Sequence, residues 1–160
     1  MKRGDRPMDD DQEAANCSRR MEIHYRDDAE ITVDGAIDLY RRSTLGERRP
    51  IDRPDVFAGM LKNADLLISA WHGPLLVGIA RTLSDFSYVA YLADLAVDLS
   101  YQRRGIGKRL LEETKRRLSA DCMIVLLAAP KANDYYRQLG FEPNPRAWVL
   151  NRRRQSPLPK

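Results

Sequence analysis

A glycine-containing loop between an apolar segment and an amphipathic one holds the residues best suited to chemistry in this chain. Segment 101–111 has the sequence Tyr-Gln-Arg-Arg-Gly-Ile-Gly-Lys-Arg-Leu-Leu and lies where a helix is predicted to begin. The first N–H groups of a helix have no intrahelical partner, and the helix dipole is positive there. Glycines let an anion approach the backbone, and nearby cationic side chains neutralise it. The pattern therefore predicts a diphosphate-binding site.

Two common diphosphate motifs are excluded at this loop. A Walker loop requires a glycine, four residues and then Gly-Lys-Ser/Thr, but Gln102 and Arg109 occupy the first glycine position and the hydroxyl position. A dinucleotide fingerprint requires a third glycine, and Leu110 stands there. A third pattern, Gln/Arg-x-x-Gly-x-Gly/Ala between a strand and a helix, is matched by Gln102, Gly105 and Gly107.

The elements that must position this loop alternate between strands and helices. Helical spacing of apolar residues predicts one helix capped by Thr32 and a second that begins near Pro54. Short apolar runs predict the strands, and His72-Gly73-Pro74 is typical of a hairpin turn. The predicted strands are 21–26, 65–71, 75–82, 88–97, 123–129 and 148–150, with further helices over 106–118 and 130–140. This order predicts a mixed sheet with helices packed on it, and the run 123–129 is expected to be buried on both faces.

Length and composition indicate the number of domains and the cellular compartment. A length of 160 residues favours one domain, which we place at 21–150, after a disordered leader 1–20 and before a basic tail 151–160. The net charge of +4 favours anionic ligands only weakly. Two cysteines are too few for a disulfide framework or a zinc site, and no metal is expected. Neither a secretory core nor an apolar run of about 20 residues is present, so we predict a cytoplasmic protein without membrane contact.

A second motif follows the loop at a specific distance. Segment 132–141 has the pattern Ala-x-x-Tyr-Tyr-x-x-x-Gly-Phe, and it resembles the Ala-x-x-Phe-Tyr-x-x-x-Gly-Phe segment of the GNAT superfamily of acetyl-CoA-dependent N-acetyltransferases. With the glycine loop in register, the resemblance covers about residues 21–150. It implies an α/β (α+β) GNAT fold. Such a fold has a central mixed, mostly antiparallel sheet, splayed at strands four and five, with helices on both faces.

The resemblance also implies a cofactor and the residues that hold it. In the GNAT family, the backbone amides after the Gln/Arg position bind the diphosphate of acetyl-CoA, and the preceding strand binds the pantetheine arm. The strand residues are Leu95, Ala96 and Val97, and the loop residues are Gln102, Arg103, Arg104, Gly105, Ile106, Gly107 and Lys108. Which of Arg103, Arg104 and Lys108 reaches the 3′-phosphate stays open.

Transfer of acetyl from a thioester to an amine needs a base and an acid. A primary amine with a pKa near 10.4 is unprotonated in only about one molecule in a thousand at neutral pH, so a base or a water relay must remove a proton. Tyr136 matches the family's tyrosine and is expected to protonate the leaving thiolate. Asp94, the single acid in 88–97, is the candidate base, with Tyr91 or a water relay as alternatives and pairing with an arginine as a structural role.

One family contact is expected to be absent, and the acceptor stays open. Ala129 stands where relatives often carry an asparagine that contacts the pantetheine arm. We expect a small-molecule primary amine as acceptor and no nucleic acid; a homodimer is compatible with the family. The alternatives are a protein N-terminus or lysine, a non-catalytic acetyl-CoA sensor, or a nucleic-acid-binding module. Residues placed near an acceptor by the resemblance are Tyr40, Arg41, Arg42, Arg48 and Arg49, with Trp148 near the end of the chain.

Overall fold

Two compact units make up the protein, and the computed structural model describes their residues 22–150. The units are Met1–Leu127 and Ala128–Lys160. The predicted leader 1–20 and tail 151–160 lie outside the described residues. The single-domain boundaries at 21 and 150 stay a prediction.

A five-stranded sheet forms the centre of the first unit, with its strands in chain order. The strands are β1 (Ile23–Arg26), β2 (Leu66–His72), β3 (Leu75–Ser84), β4 (Val89–Val97) and β5 (Met123–Val125). Each consecutive pair from β1 to β4 is antiparallel, whereas β4 and β5 are parallel. Gly73 adopts a φ of 55° in the turn between β2 and β3, as the hairpin motif predicts. The mixed, mostly antiparallel sheet is therefore confirmed.

Three helices begin where the sequence predicts, whereas the one predicted over 130–140 is a 3₁₀ turn, Pro130–Ala132, followed by a shorter α-helix. The α-helices are α1 (Val33–Arg42), α2 (Pro54–Lys62), α3 (Ile106–Arg116) and, in the second unit, α4 (Asn133–Gln138). The hydroxyl of Thr32 accepts a hydrogen bond from the N–H of Gly35 at 3.1 Å, which caps α1. Pro54 occupies the first turn of α2, where its missing N–H costs nothing. A short 3₁₀ turn, Leu99–Tyr101, connects β4 to the glycine loop.

Helices cover both faces of the sheet. Ile79 of β3 packs in a core cluster with Tyr40 of α1 and Phe57 of α2. The preceding residue, Gly78, faces Leu110 of α3. Since successive residues of a strand point to opposite faces, α1 and α2 lie on one face and α3 on the other. This confirms the predicted arrangement.

Two strand predictions near the end of the chain are wrong. The strand expected over 123–129 ends at Val125, and Met123 is 53% exposed rather than buried. Residues 148–150 form no strand, and Trp148 is 95% exposed. Apolar residues favour a strand only where a neighbouring strand completes the hydrogen-bonded ladder, and composition alone does not supply that neighbour.

Within residues 22–150 no helix is long and apolar enough to cross a membrane.

Candidate functional site

The glycine loop lies between the end of β4 and the start of α3. Asp98, directly after β4, is buried, and its N–H donates to the carbonyl of Val77 at 2.9 Å. Its carboxylate accepts from the N–H of Ser100 at 2.8 Å and so caps the 3₁₀ turn that leads into the loop. The other carboxylate oxygen pairs with Arg42 of α1. The loop therefore starts from a point that is fixed to both the sheet and α1.

The backbone of the loop leaves the first turn of α3 open to an anion. Gly105 is the N-cap residue of α3, with a φ of 80°, and no side chain caps the helix. A Cβ on Gly105 would meet no other atom within 4 Å, so the space beside this glycine is free of protein among the described residues. Arg103 also has a positive φ, 61°, which is unusual for a residue with a side chain. Such strain is typical of functional loops, and the uncapped N–H groups fit a diphosphate.

Side chains on either side hold the loop in place. The amide of Gln102 donates to the carbonyl of Val97 at 3.1 Å, so the glutamine of the motif ties the loop to the last residue of β4. Tyr101 lies between His72 and Arg104: its hydroxyl is 2.6 Å from Nδ1 of His72, and the Arg104 guanidinium lies 5.3 Å from its ring centre. Sequence reasoning missed His72, because nothing local distinguishes it from an ordinary hairpin residue.

Close packing at Gly78 sets the position of the start of α3. A Cβ on Gly78 would lie 3.0 Å from Cδ1 of Leu110 and 3.2 Å from Cγ2 of Ile106. A side chain there would push the first turns of α3 away from the sheet. The glycine thus brings the N-terminus of α3 close to the end of β4, where the predicted diphosphate site lies.

The cations of the loop differ in how they are paired. Arg109 contacts Glu113 at 2.9 Å and Glu112 at 3.7 Å, so its charge is balanced within α3. Burial acts to raise the pKa of Glu113, but hydrogen bonding to Arg117 and the charges of nearby arginines outweigh it and lower that pKa. Lys108 is 67% exposed and lies 4.0 Å from Glu112. The Arg103 side chain is exposed, which leaves its charge available to a ligand.

The edge of β4 is unpaired where the pantetheine arm is predicted to bind. The ladder between β4 and β5 ends at the pair Tyr91–Val125, whereas β4 itself continues to Val97. In this last part β4 pairs with β3, including Leu95 with Ala80 and Ala96 with Ile79. Within the described part of the first unit, no second strand pairs with 95–97, so their outward backbone groups can pair with an extended ligand.

Asp94 is enclosed by cationic and phenolic donors. Its side chain is 0% exposed. One carboxylate oxygen accepts from Nε of Arg49 at 2.5 Å, and the other accepts from Nε of Arg81 at 2.5 Å and from the hydroxyl of Tyr40 at 3.0 Å. Burial, followed by the Asp94 charge, raises the pKa of Tyr40 far above its usual value, so this phenol stays a neutral donor. The pairing with arginines that the sequence left open is observed.

This cluster changes the interpretation of several residues near the expected acceptor. Tyr40 is buried and Arg49 is bonded to Asp94. Arg42 donates to Asp38 at 2.9 Å and to the carbonyl of Leu76 at 2.9 Å, besides its pair with Asp98. Three of the residues predicted near an acceptor therefore hold the fold together. A signal for the cluster was present in the sequence: β3 and β4 each carry one charged residue in an apolar run, Arg81 and Asp94.

Tyr136 lies in α4 of the second unit. Its ring packs edge-on against Phe141, with centroids 5.7 Å apart, and against Tyr135 at 5.3 Å. The three aromatic residues of the second motif thus form one group that orients the Tyr136 ring. The role of Tyr136 as general acid stays a prediction.

Other candidate sites lie away from these residues. A surface cavity of about 530 Å³ is lined by residues of β1, of the segment after it and of the β2–β3 hairpin, among them His24, Glu30 and Trp71, and it includes none of the predicted site residues. Across residues 22–150, no cluster of three or more histidine, cysteine, aspartate or glutamate side chains could hold a metal ion.

Comparison with known proteins identifies a family for this geometry. A family model described as an acetyltransferase (GNAT) domain matches residues 48–147. The chain is 33% identical over 129 residues to histone acetyltransferase TAP1 of Glycine max, which covers 69% of this chain and 54% of that protein. It is 40% identical over 72 residues to the chloroplastic GCN5-related N-acetyltransferase 2 of Arabidopsis thaliana, covering 44% of this chain and 28% of that protein. The chain spans about half the length of the Glycine max relatives that it matches, 54% and 50%.

Solved structures share the fold. The GNAT-family protein SP0256 of Streptococcus pneumoniae superposes with a TM-score of 0.66 at 24% identity, over 82% of this chain and 99% of that one. The aminoglycoside N-acetyltransferase AAC(6')-Iy, solved in complex with CoA, superposes with a TM-score of 0.64 at 18% identity, over 82% and 95%. At these identities the similarity establishes the fold alone.

Proposed function

Since the chain belongs to the GNAT acetyltransferase family, we propose that it transfers an acetyl group from acetyl-CoA to a primary amine by direct attack in a ternary complex. The observation that carries this proposal is the open N-terminus of α3, where Gly105 has a left-handed φ of 80° and no side chain caps the helix. The AAC(6')-Iy neighbour was solved with CoA, which supports the same ligand. Acetyl-CoA supplies an acetyl thioester, and the residues of this chain bind and orient it.

In this proposal the loop binds the diphosphate and the strand binds the pantetheine arm. The N–H groups of 103–108 face the phosphate oxygens, and the exposed cations Arg103 and Lys108 add charge. The unpaired backbone of Leu95, Ala96 and Val97 hydrogen-bonds the arm as an added strand would. Gln102 acts by holding the loop against Val97.

The reaction requires two proton transfers, one away from the acceptor amine and one to the leaving sulfur. The acceptor is protonated at neutral pH and must lose a proton before its nitrogen lone pair can attack. Tyr136 donates a proton to the sulfur that leaves, which its neutral phenol can do without prior ionisation. The base stays a prediction, with Asp94, Tyr91 and a water relay as the candidates. The Asp94 carboxylate already accepts from two guanidinium groups and one phenol, which supports a positioning role for it and leaves the amine proton to a water relay or Tyr91.

We propose a small-molecule primary amine as the acceptor. A second candidate, a protein lysine or N-terminus, is favoured by the relative named as a histone acetyltransferase. A test panel should therefore contain small mono- and polyamines, aminoglycosides, amino acids, and peptides with a free lysine or a free N-terminus. Mass spectrometry of the product would show a gain of one acetyl group and the nitrogen that carries it.

The proposed function is tested by measuring the release of free CoA thiol from acetyl-CoA in the presence of each amine of the panel. We expect one class of amine to stimulate this release. In Tyr136→Phe the kcat for that amine should fall about 100-fold, since a general acid contributes at least that much. Tyr135→Phe, the neighbouring residue of α4, is the matched control and should stay within threefold of wild type. Absence of amine-dependent release with any class, together with no binding of acetyl-CoA, would exclude the proposed function.

The compartment and assembly are also proposals. A cytoplasmic location agrees with the few cysteines, whereas an Arabidopsis thaliana relative is named as chloroplastic. Imaging of a fluorescent fusion in the source cell would distinguish the two. Sedimentation equilibrium would show whether the chain forms the homodimer that many family members form.

A further inference from the structure

Strand β4 has a bulge just before the predicted pantetheine-binding residues. Arg81 of β3 pairs with Asp94, but the next residue, Thr82, pairs with Leu92. Ala93 therefore has no partner on β3, which is the arrangement of a β-bulge. A bulge bends its strand and changes the direction of the backbone that follows. Here the residues that follow are Leu95, Ala96 and Val97.

Arg49 supplies the contact that the bulge lacks. Its Nη2 donates to the carbonyl of Ala93 at 2.8 Å, while its Nε donates to Asp94 at 2.5 Å. A third donor, Nη1, bonds the carbonyl of Arg48 at 3.0 Å, which holds the guanidinium against its own loop. One planar group thus joins the connection between α1 and α2 to two successive residues of β4. A lysine could not make these contacts together, because it presents a single nitrogen.

Asp94 is fixed from the opposite side. Arg81 and Tyr40 both donate to the carboxylate oxygen that Arg49 does not use. The Arg81 side chain is only 9% exposed, and that of Arg49 is 26% exposed. The cluster therefore places two cations on one buried carboxylate. Buried ion pairs add little net stability because desolvation offsets their attraction, so fixing the bulge is a better reason for this cluster than stability.

We propose that Arg49 is a positioning residue of the acetyl transfer: with Asp94 it fixes the bulge at Ala93 and thereby aims the backbone of 95–97 at the pantetheine arm. This inference rests on the proposed function. Asp94 then acts through Arg49 and does not take a proton from the amine; that proton passes to a water relay, which Tyr91 can orient. The diphosphate loop, which is held separately by Gln102 and Asp98, supplies most of the affinity for CoA in this proposal. Loss of Arg49 therefore misdirects the arm, and with it the thioester, more than it weakens binding.

Arg49→Lys tests this directly, with Arg53→Lys as the matched control. Arg53 lies in the same connection, is 46% exposed and pairs only weakly with Asp55 at 3.9 Å. We expect Arg49→Lys to lower kcat about tenfold, to leave the Kd for CoA within threefold, and to speed hydrogen exchange at the amides of 92–97. Arg53→Lys should match wild type in kcat, in the Kd for CoA and in hydrogen exchange at 92–97. Wild-type kcat and exchange in Arg49→Lys would overturn the proposal.

A second variant separates positioning from proton transfer. In Asp94→Asn we expect a fall in kcat similar to that of Arg49→Lys, with the shape of the pH–rate profile kept. The double variant should be no slower than the slower single variant, because both changes break one network. If Asp94→Asn abolishes a limb of the pH profile that Arg49→Lys keeps, then Asp94 takes the proton itself and the proposal fails.

The two levels of the proposal can fail separately. If the wild-type protein transfers no acetyl group, the proposed function fails, and with it the catalytic part of the inference. The exchange rates of 92–97 would still show whether Arg49 holds the bulge. If wild type is active and Arg49→Lys is equally active, the function stands and the inference alone fails. If Asp94→Asn does not fold, Arg49→Lys alone tests whether Arg49 positions the bulge. This variant should fold, because lysine keeps a positive charge beside Asp94 and position 49 is partly exposed.

Discussion

The glycine loop and the Asp94 cluster are both charged regions at β4, but they are built in opposite ways. In the loop, the first turn of α3 has no side-chain cap and Arg103 is exposed. In the cluster, the single carboxylate is fully buried and accepts from two arginines and a tyrosine. The charges of the cluster are paired with one another in the interior, whereas the loop presents the exposed side chain of Arg103 and the uncapped N–H groups of α3 at the surface. A charged residue type alone does not distinguish these roles.

The largest effect is expected where the cluster is broken. Asp94→Asn leaves two arginines without their buried counter-charge and should lower the free energy of unfolding by about 3–5 kcal/mol. Urea denaturation would measure it, with Asp121→Asn, at an exposed position, as the control. A loss below about 1 kcal/mol would mean that Arg49 and Arg81 do not depend on this carboxylate, and the contrast with the loop would disappear.

A smaller effect is expected in the loop, where the backbone rather than a contact is at stake. Gly105 and Gly73 both have a positive φ, 80° and 55°, and both have free space around an added Cβ. Changing either to alanine should cost about 1–2 kcal/mol of stability, because a Cβ disfavours the left-handed conformation. Urea midpoints of the two variants should therefore be alike. A much larger loss in Gly105→Ala would show that this glycine has a packing role that the loop geometry does not reveal.

The smallest effect is expected in how the stability of the fold depends on pH through Tyr40 of the Asp94 cluster. Burial, then the Asp94 charge, raises the pKa of Tyr40, whereas in the unfolded chain it is about 10. A group with a raised folded pKa stabilises the fold below its unfolded pKa, and this stabilisation is lost as the pH rises above about 10. Between pH 9 and pH 11 the wild type should therefore lose about 1 kcal/mol more than Tyr40→Phe.

The control for this pH dependence is Tyr88→Phe. Tyr88 is 72% exposed and lies outside the cluster. Its removal should leave the alkaline loss of stability as in wild type. Equal alkaline slopes for Tyr40→Phe and wild type would contradict the buried, neutral state of the Tyr40 phenol.

The sequence predicted the loop well because its geometry is local. Six consecutive residues, from Gln102 to Gly107, determine the uncapped helix start, and their glycines and cations are visible in the chain itself. The elements around it followed from caps and periodicity, as at Thr32 and Pro54. Here local residue types and the observed structure point to the same arrangement.

The Asp94 cluster could not be predicted in the same way, because its contacts are distant in sequence. Arg49 and Asp94 are 45 residues apart, and only the fold brings them together. The missing strand over 148–150 has a related cause. A strand is stabilised by the partner that completes its ladder, and its apolar composition does not name that partner. The bulge at Ala93 likewise depends on the register of β3 against β4, which periodicity does not determine.

The most direct test of the account is a calorimetric titration of CoA into wild type, Gly105→Ala, Gly73→Ala and Arg49→Lys at one salt concentration. The account predicts one CoA bound per wild-type chain, at least tenfold weaker binding in Gly105→Ala, and binding within threefold of wild type in the other two. Saturable binding to wild type that Gly105→Ala leaves unchanged, or no binding to wild type at all, would contradict it.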